Sequence, residues 1–189
     1  MDYTTSDFRK GIRIELDSEP YVVTESEFMK PGKGQAVYRI KCKNLLRGNV
    51  IDRTYRSGDK VKAADVEEYS LQYLYNDSSL WHFMHPESFE QYEISKENLG
   101  EGWKWLIDEA MVEVVFWNGK PIIVKPPNHV ELKVEYCEPG ARGNTATNVQ
   151  KPAKVETGVE VHVPAFINID DIIKVDTRTG EYVERVKKA

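Results

Sequence analysis

The strongest constraint on the fold is a recurrence. Short runs of alternating or continuous apolar residues return along the chain at 11–16, 20–25, 36–44, 50–55, 69–76, 80–84, 112–117, 121–125, 129–136, 160–164 and 181–186. Runs of that length with period-two alternation predict strands, and almost nowhere does a 3.6-residue period appear. The chain therefore reads as all-β.

The segments between the runs supply residues that tolerate or preset turn geometry: Asp17-Ser18, Pro31-Gly32, Asn76-Asp77, Asn118-Gly119 and Thr179-Gly180. Asn118-Gly119 is the clearest two-residue hairpin signal. Only 102–111, with Trp103, Leu106, Ile107 and Ala110 on one face, predicts a short helix.

Two breaks divide the chain, one at 62–65 and one at Pro126-Pro127, where paired prolines stiffen the link and donate no ladder hydrogen bonds. They predict three modules, 1–64, 65–127 and 128–189, each a small β-barrel of about 60 residues with a modest core. The Gly-rich polar stretch 139–148 reads as a long loop inside the third.

The formal net charge of −5 argues against a nucleic-acid partner, but the average hides a gradient. Residues 1–64 hold 13 Lys/Arg against 9 Asp/Glu, residues 65–127 hold 4 against 12, and residues 128–189 hold 9 against 10. A basic head precedes an acidic middle. The two cysteines, Cys42 and Cys137, form no CxxC pair and are expected as free thiols in a reducing compartment. The N-terminus lacks the basic and apolar regions of a signal peptide, and no run approaches the roughly 18 apolar residues of a membrane span. A cytoplasmic location is expected.

Candidate chemistry is sparse. His82 and His85 point to opposite faces of a strand-like segment, with no third metal ligand nearby in sequence. Asp108 and Glu109 splay about 100° apart on a helix and do not face one substrate. Lys33 with Gly32 and Gly34 lacks the first glycine and the final Ser/Thr of a phosphate-binding loop. No enzyme, cofactor or metal is expected.

The most informative segment is 28–36. Strand residues lead into Pro31-Gly32, a tight turn follows, and Lys33 stands at the apex with glycines on both sides removing neighbouring side chains. The ammonium is expected to project alone, accessible to a large partner or a modifying enzyme. On local grounds alone, an ordinary solubilising lysine fits as well.

The whole chain resembles the elongation factor P family. The resemblance runs from 7–11 through the 30–36 loop (Lys-Pro-Gly-Lys-Gly-Gln-Ala), 74–77, 81–84, 117–119 and 151–153 to 174–183, and its most specific stretch is 163–176 (Val-Pro-Ala-Phe-Ile-Asn-Ile-Asp-Asp-Ile-Ile-Lys-Val-Asp). It implies an SH3-like first barrel and two OB-fold barrels in an L-shaped, tRNA-like arrangement. It further implies a monomer that binds the ribosome between P and E sites and relieves stalling at consecutive prolines.

In that family the loop lysine, here Lys33 among Lys30, Pro31, Gly32, Gly34 and Gln35, receives a β-lysyl group from a lysyl-tRNA-synthetase-like ligase. A branch with arginine at this position is not matched. The resemblance also implies tRNA or rRNA contacts from the basic head, for which Arg13, Arg39, Lys41, Lys43, Arg53 and Arg56 are candidates. Asn76 and Asp77 fall in a loop expected to meet tRNA, though Ser78 replaces the commoner glycine. Gly143, Asn144 and Thr145 fall in one expected to approach the E-site codon, with Asn144 in place of the family aspartate. Tyr182 is the candidate small-subunit contact.

Two other functions stay open: a paralogue of the family with a different stalling preference, and a generic single-strand-binding OB protein. The second needs exposed stacking aromatics from among Tyr73, Tyr75, Trp81, Phe83 and Trp117, whose alternation in strands instead predicts core.

Overall fold

A computed structural model describes residues 1–139 and 149–189. Its described residues form sixteen strands, one short α-helix and two 3-10 turns, and the all-β expectation holds. Two compact units emerge, residues 1–69 with 114–123 and residues 70–113 with 124–189.

The first unit begins with β1 (Asp2–Thr4), β2 (Arg13–Leu16), β3 (Glu19–Met29), β4 (Val37–Asn44), β5 (Val50–Arg56) and β6 (Lys60–Lys62). Strands β2-β3-β4-β5 make a four-stranded antiparallel sheet, and β1 pairs with β6. Alternation decides the faces. Along β4, Ile40 and Cys42 are buried while Arg39, Lys41 and Lys43 are exposed. Phe8, Ile12, Ile14, Tyr21, Val23 and Val61 complete the core. Each such side chain contributes about 1.5–3 kcal/mol when fully buried. Asp17 and Ser18 both take positive φ, 51° and 61°, so the β2–β3 connection has the backbone of a tight primed turn.

A five-stranded sheet follows, ordered β11-β10-β7-β8-β9, from β7 (Val66–Asn76), β8 (Leu80–Met84), β9 (Gln91–Ser95), β10 (Met111–Trp117) and β11 (Lys120–Lys125). Asn118 and Gly119, at φ 49° and 74°, close the β10–β11 hairpin. The predicted helix at 102–111 is corrected. The helical residues lie earlier, in α1 (Lys96–Leu99) and the 3-10 turn Gly100–Trp105, and Met111 already belongs to β10. Backbone bonds from Glu109 N–H to the Tyr73 carbonyl, and from Tyr73 N–H to the Ala110 carbonyl, draw 109–110 toward β7 instead. Tertiary pairing overrides the local apolar period, and Asp108 and Glu109 are exposed in a turn.

The last sheet, ordered β14-β13-β12-β15-β16, uses β12 (His129–Cys137), β13 (Gln150–Val155), β14 (Glu160–Pro164), β15 (Ile172–Asp176) and β16 (Glu181–Lys187). Its core includes Leu132, Val134, Val155, Val163, Ile167 and Ile173, and Trp105 from the 3-10 turn packs into it. Asp171 is fully buried and accepts hydrogen bonds from the backbone N–H of Asn168 (2.9 Å) and Ala189 (2.9 Å). Burial alone would raise its pKa; those bonds and Arg185 more than offset it, and the carboxyl ends below its ordinary value. Five strands, β1, β6, β9, β13 and β15, lie outside the predicted runs. Two have three residues, β9 has few apolar residues and β13 carries Pro152. Among the described residues no helix is long and apolar enough to cross a membrane.

Candidate functional site

Met29 pairs with Val37, so the β3–β4 hairpin closes over 30–36, and Lys30, Pro31, Gly32, Lys33, Gly34 and Gln35 are all exposed. Neither Gly32 nor Gly34 takes the left-handed backbone. Small size matters at Gly34 alone, where a Cβ would come 3.2 Å from Pro31 Cγ; one on Gly32 meets nothing within 4 Å. Between Phe28 and Tyr38 the chain has no carboxylate. The tip is purely cationic.

Beneath the tip runs a ladder of rings. Phe8 meets Tyr55 edge-on with centroids 5.3 Å apart and Tyr38 at 6.2 Å, and Tyr38 meets Phe28 at 4.9 Å. Phe8 is in the core, Tyr38 and Tyr55 are half-buried, and Phe28 is 54% exposed. The ladder ties the hairpin to the barrel and ends in water.

The six candidate cations differ in what already holds them. Arg13 is engaged within the protein, donating to the Val66 carbonyl at 3.3 Å and to Glu68 Oε1 at 2.5 Å. Lys41 lies 2.9 Å from Glu25, which raises the lysine's pKa. Looser pairs join Arg39 to Asp52 at 3.8 Å and Arg53 to Asp17 at 3.6 Å. Among the described residues Lys43 and the Arg56 guanidinium have no ion-pair partner, and the same holds for Lys30 and Lys33. Arg39, Lys41, Arg9 and Lys10 line a groove of about 740 Å³ with Thr24 and Glu25.

Asn76 and Asp77 stand where β7 turns into β8. The Asp77 carboxylate is used internally: Oδ1 accepts the backbone N–H of Leu80 at 3.0 Å and of Ser79 at 3.4 Å, and Oδ2 lies 3.0 Å from His82 Nε2. The His82 bond, then that of Leu80, pulls the carboxyl down to about 2. Ser78 takes φ 76°, the conformation for which glycine is the easier residue. Tyr182 on β16 is half-buried against the core of the last sheet, and burial pushes its phenol up. Gly143, Asn144 and Thr145 lie outside the described residues.

Of the five aromatics that a strand-stacking protein would expose, Tyr73, Trp81 and Phe83 are core. Tyr75 is exposed but stacked on His82, centroids 4.5 Å apart. His85 Nδ1 accepts the backbone N–H of Glu87 and Ser88 at 3.2 Å, a turn-holding role. Cys42 and Cys137 are free and buried, and burial pushes the Cys42 thiol up to about 11. Sequence reasoning missed Phe28, His82 as the holder of Asp77, and Glu68 as the partner of Arg13. The acid-free run 28–38 was the one legible signal for the first; the other two depend on which strands become neighbours.

The fold and the site define an all-β protein of curled antiparallel sheets that presents a cationic, acid-free hairpin tip. Family models for the elongation factor P KOW-like domain, OB domain and C-terminal domain match residues 4–61, 66–124 and 130–185. An elongation factor P from Rhodopirellula baltica is 53% identical over 184 residues, spanning 97% of this chain and 94% of that protein. The chain belongs to the elongation factor P family and is a translation elongation factor. Its fold is also similar to a translation initiation factor 5A from Methanococcus jannaschii (TM-score 0.56, 19% identity, 67% of this chain and 94% of that one). A related factor from Naegleria fowleri gives TM-score 0.55 at 17% identity over 66% of this chain and 97% of that one.

Proposed function

We propose that the protein binds the ribosome between P and E sites and stimulates peptide-bond formation at consecutive prolines by positioning peptidyl-tRNA with Lys33. The observation that carries this reading is the isolated, fully cationic hairpin tip, held out from the barrel by a ring ladder. Proline is a constrained and poor nucleophile, and a polyproline chain holds its tRNA badly aligned. Repositioning alone is worth several kcal/mol of barrier, with no protein group joining the reaction.

The three modules 1–64, 65–127 and 128–189 act together as a monomer in the cytoplasm. The basic first module lies along the tRNA acceptor arm, using the less constrained cations Lys43 and Arg56 for phosphate and the paired ones through exchange of partners. A lysyl-tRNA-synthetase-like ligase adds a β-lysyl group to Lys33, roughly doubling its reach. Asn76 meets tRNA, Gly143, Asn144 and Thr145 supply the contact to the E-site codon, and Tyr182 meets the small subunit. The single-strand-binding alternative loses support because three of its five stacking candidates are buried.

In a reconstituted translation system on a Pro-Pro-Pro template, Lys33→Ala is expected to lose most of the acceleration, about tenfold or more, while still binding ribosomes. Equal loss of binding and rate assigns Lys33 to docking. Wild-type acceleration by the variant removes Lys33 from the mechanism.

A further inference from the structure

Phe28 is the outermost ring of the supporting ladder, yet its exposed side has no part in the positioning scheme above, and that exposure is unusual for a residue with no polar edge. The barrel core ends at Phe8, Tyr38 and Tyr55, yet the ladder continues one ring further, to Phe28, which is covered by Tyr38 and otherwise 54% exposed. Two residues on stands exposed Lys30 and five residues on Lys33, with no carboxylate from 28 to 38. An open π-face anchored on a stiff support beside unpaired ammonium groups is the arrangement that takes an unpaired nucleotide: the ring stacks the base and the cations neutralise the flanking phosphates. A purely apolar protein contact would not call for a hairpin tip whose charged residues, Lys30 and Lys33, are both cationic.

We propose that Phe28 is a stacking platform for one unpaired nucleobase, with Lys30 and Lys33 meeting the adjacent phosphates. The proposal rests on the ribosome and tRNA reading above and adds a specificity-determining residue to it. The base stacks against the ring face that Tyr38 leaves open, and Tyr38 keeps that ring from rotating away. Aromatic character at position 28 is then required, whereas mere apolarity is not.

The test uses the full chain with Lys33 modified, in reconstituted translation on a Pro-Pro-Pro template. Phe28→Leu is expected to lose about tenfold in acceleration, whereas Phe28→Tyr and Phe28→Trp stay within about twofold of wild type. Thermal melts of the three variants check that the fold is intact. With Phe28 replaced by 4-azidophenylalanine, light is expected to give an adduct with RNA mapping to an unpaired nucleotide. Acceleration by Phe28→Leu equal to that of wild type overturns the proposal. So does an adduct only with protein, or a Phe28→Leu defect that disappears once Lys33 modification is matched to wild type, either of which makes the ring a protein contact. If wild type itself gives no acceleration on the template, the positioning reading fails; an RNA adduct at position 28 would still report the stacking site.

Discussion

His82 Nε2 lies 3.0 Å from Asp77 Oδ2, and the imidazole that makes this contact is buried and stacked on Tyr75. Asp77 is thereby anchored on one oxygen while the other caps the backbone N–H groups of Ser79 and Leu80. The carboxylate that the sequence offers as a contact residue is a support for the hairpin tip, where both serine hydroxyls also bond to Asp77 and Asn76 is exposed beside them.

That anchor predicts a pH dependence. The Asp77 carboxyl titrates near 2 in the folded protein, below its ordinary 3.8, so its contribution to stability is complete above about pH 4 and is lost as pH falls toward 2. Asp77→Asn is expected to be less stable than wild type at neutral pH, with the difference shrinking from pH 4 to pH 2. Urea denaturation across that range measures it, and a difference independent of pH would contradict the assignment.

Trp105 ties the 3-10 turn into the core of the last sheet, and its ring lies where a Cβ on Gly180 would come within 3.7 Å of it. Trp105→Ala is expected to cost about 3–5 kcal/mol, since the cavity left by an indole collapses only in part. Chemical denaturation with a probe in β12 to β16 reads the loss. A cost below about 1 kcal/mol would mean that the barrel closes without the ring.

The candidate cations are expected to separate by function. Arg13→Ala breaks the bonds to the Val66 carbonyl and Glu68 and should lose about 1 kcal/mol of stability. Lys43→Ala should leave stability within about 0.5 kcal/mol and weaken ribosome binding, reducing the salt slope by about one if the lysine meets a phosphate. Equilibrium unfolding and binding at two ionic strengths distinguish the pair.

Two glycines test what the turns require. Gly119 sits at φ 74°, so Gly119→Ala is expected to cost about 1 kcal/mol or more. Gly32 has ordinary backbone and open space around its Cβ position, so Gly32→Ala should be neutral or slightly stabilising. Melting temperatures of the two variants, measured side by side, are expected to fall for the first only.

Much was readable from residue order alone because it is local. The period-two alternation of 36–44 places Ile40 and Cys42 inside and Arg39, Lys41 and Lys43 outside, and Asn118-Gly119 carries its own turn geometry. The exposure of Lys33 followed likewise from Pro31 and its flanking glycines. What residue order could not decide was nonlocal. Glu68 lies 55 positions from Arg13, and only folding puts them 2.5 Å apart. Strand β13 contains Pro152 and looks unlike a strand, yet β12 and β14 supply its hydrogen-bonding partners. The 102–111 segment has a helical pattern, but bonding with Tyr73 turns its end toward a strand, and Trp105 finds its pocket in a sheet formed by residues from 129 onward. A side chain's own chemistry is written in the sequence, whereas whether that chemistry is already satisfied inside the molecule depends on neighbours that only tertiary structure brings within hydrogen-bonding distance.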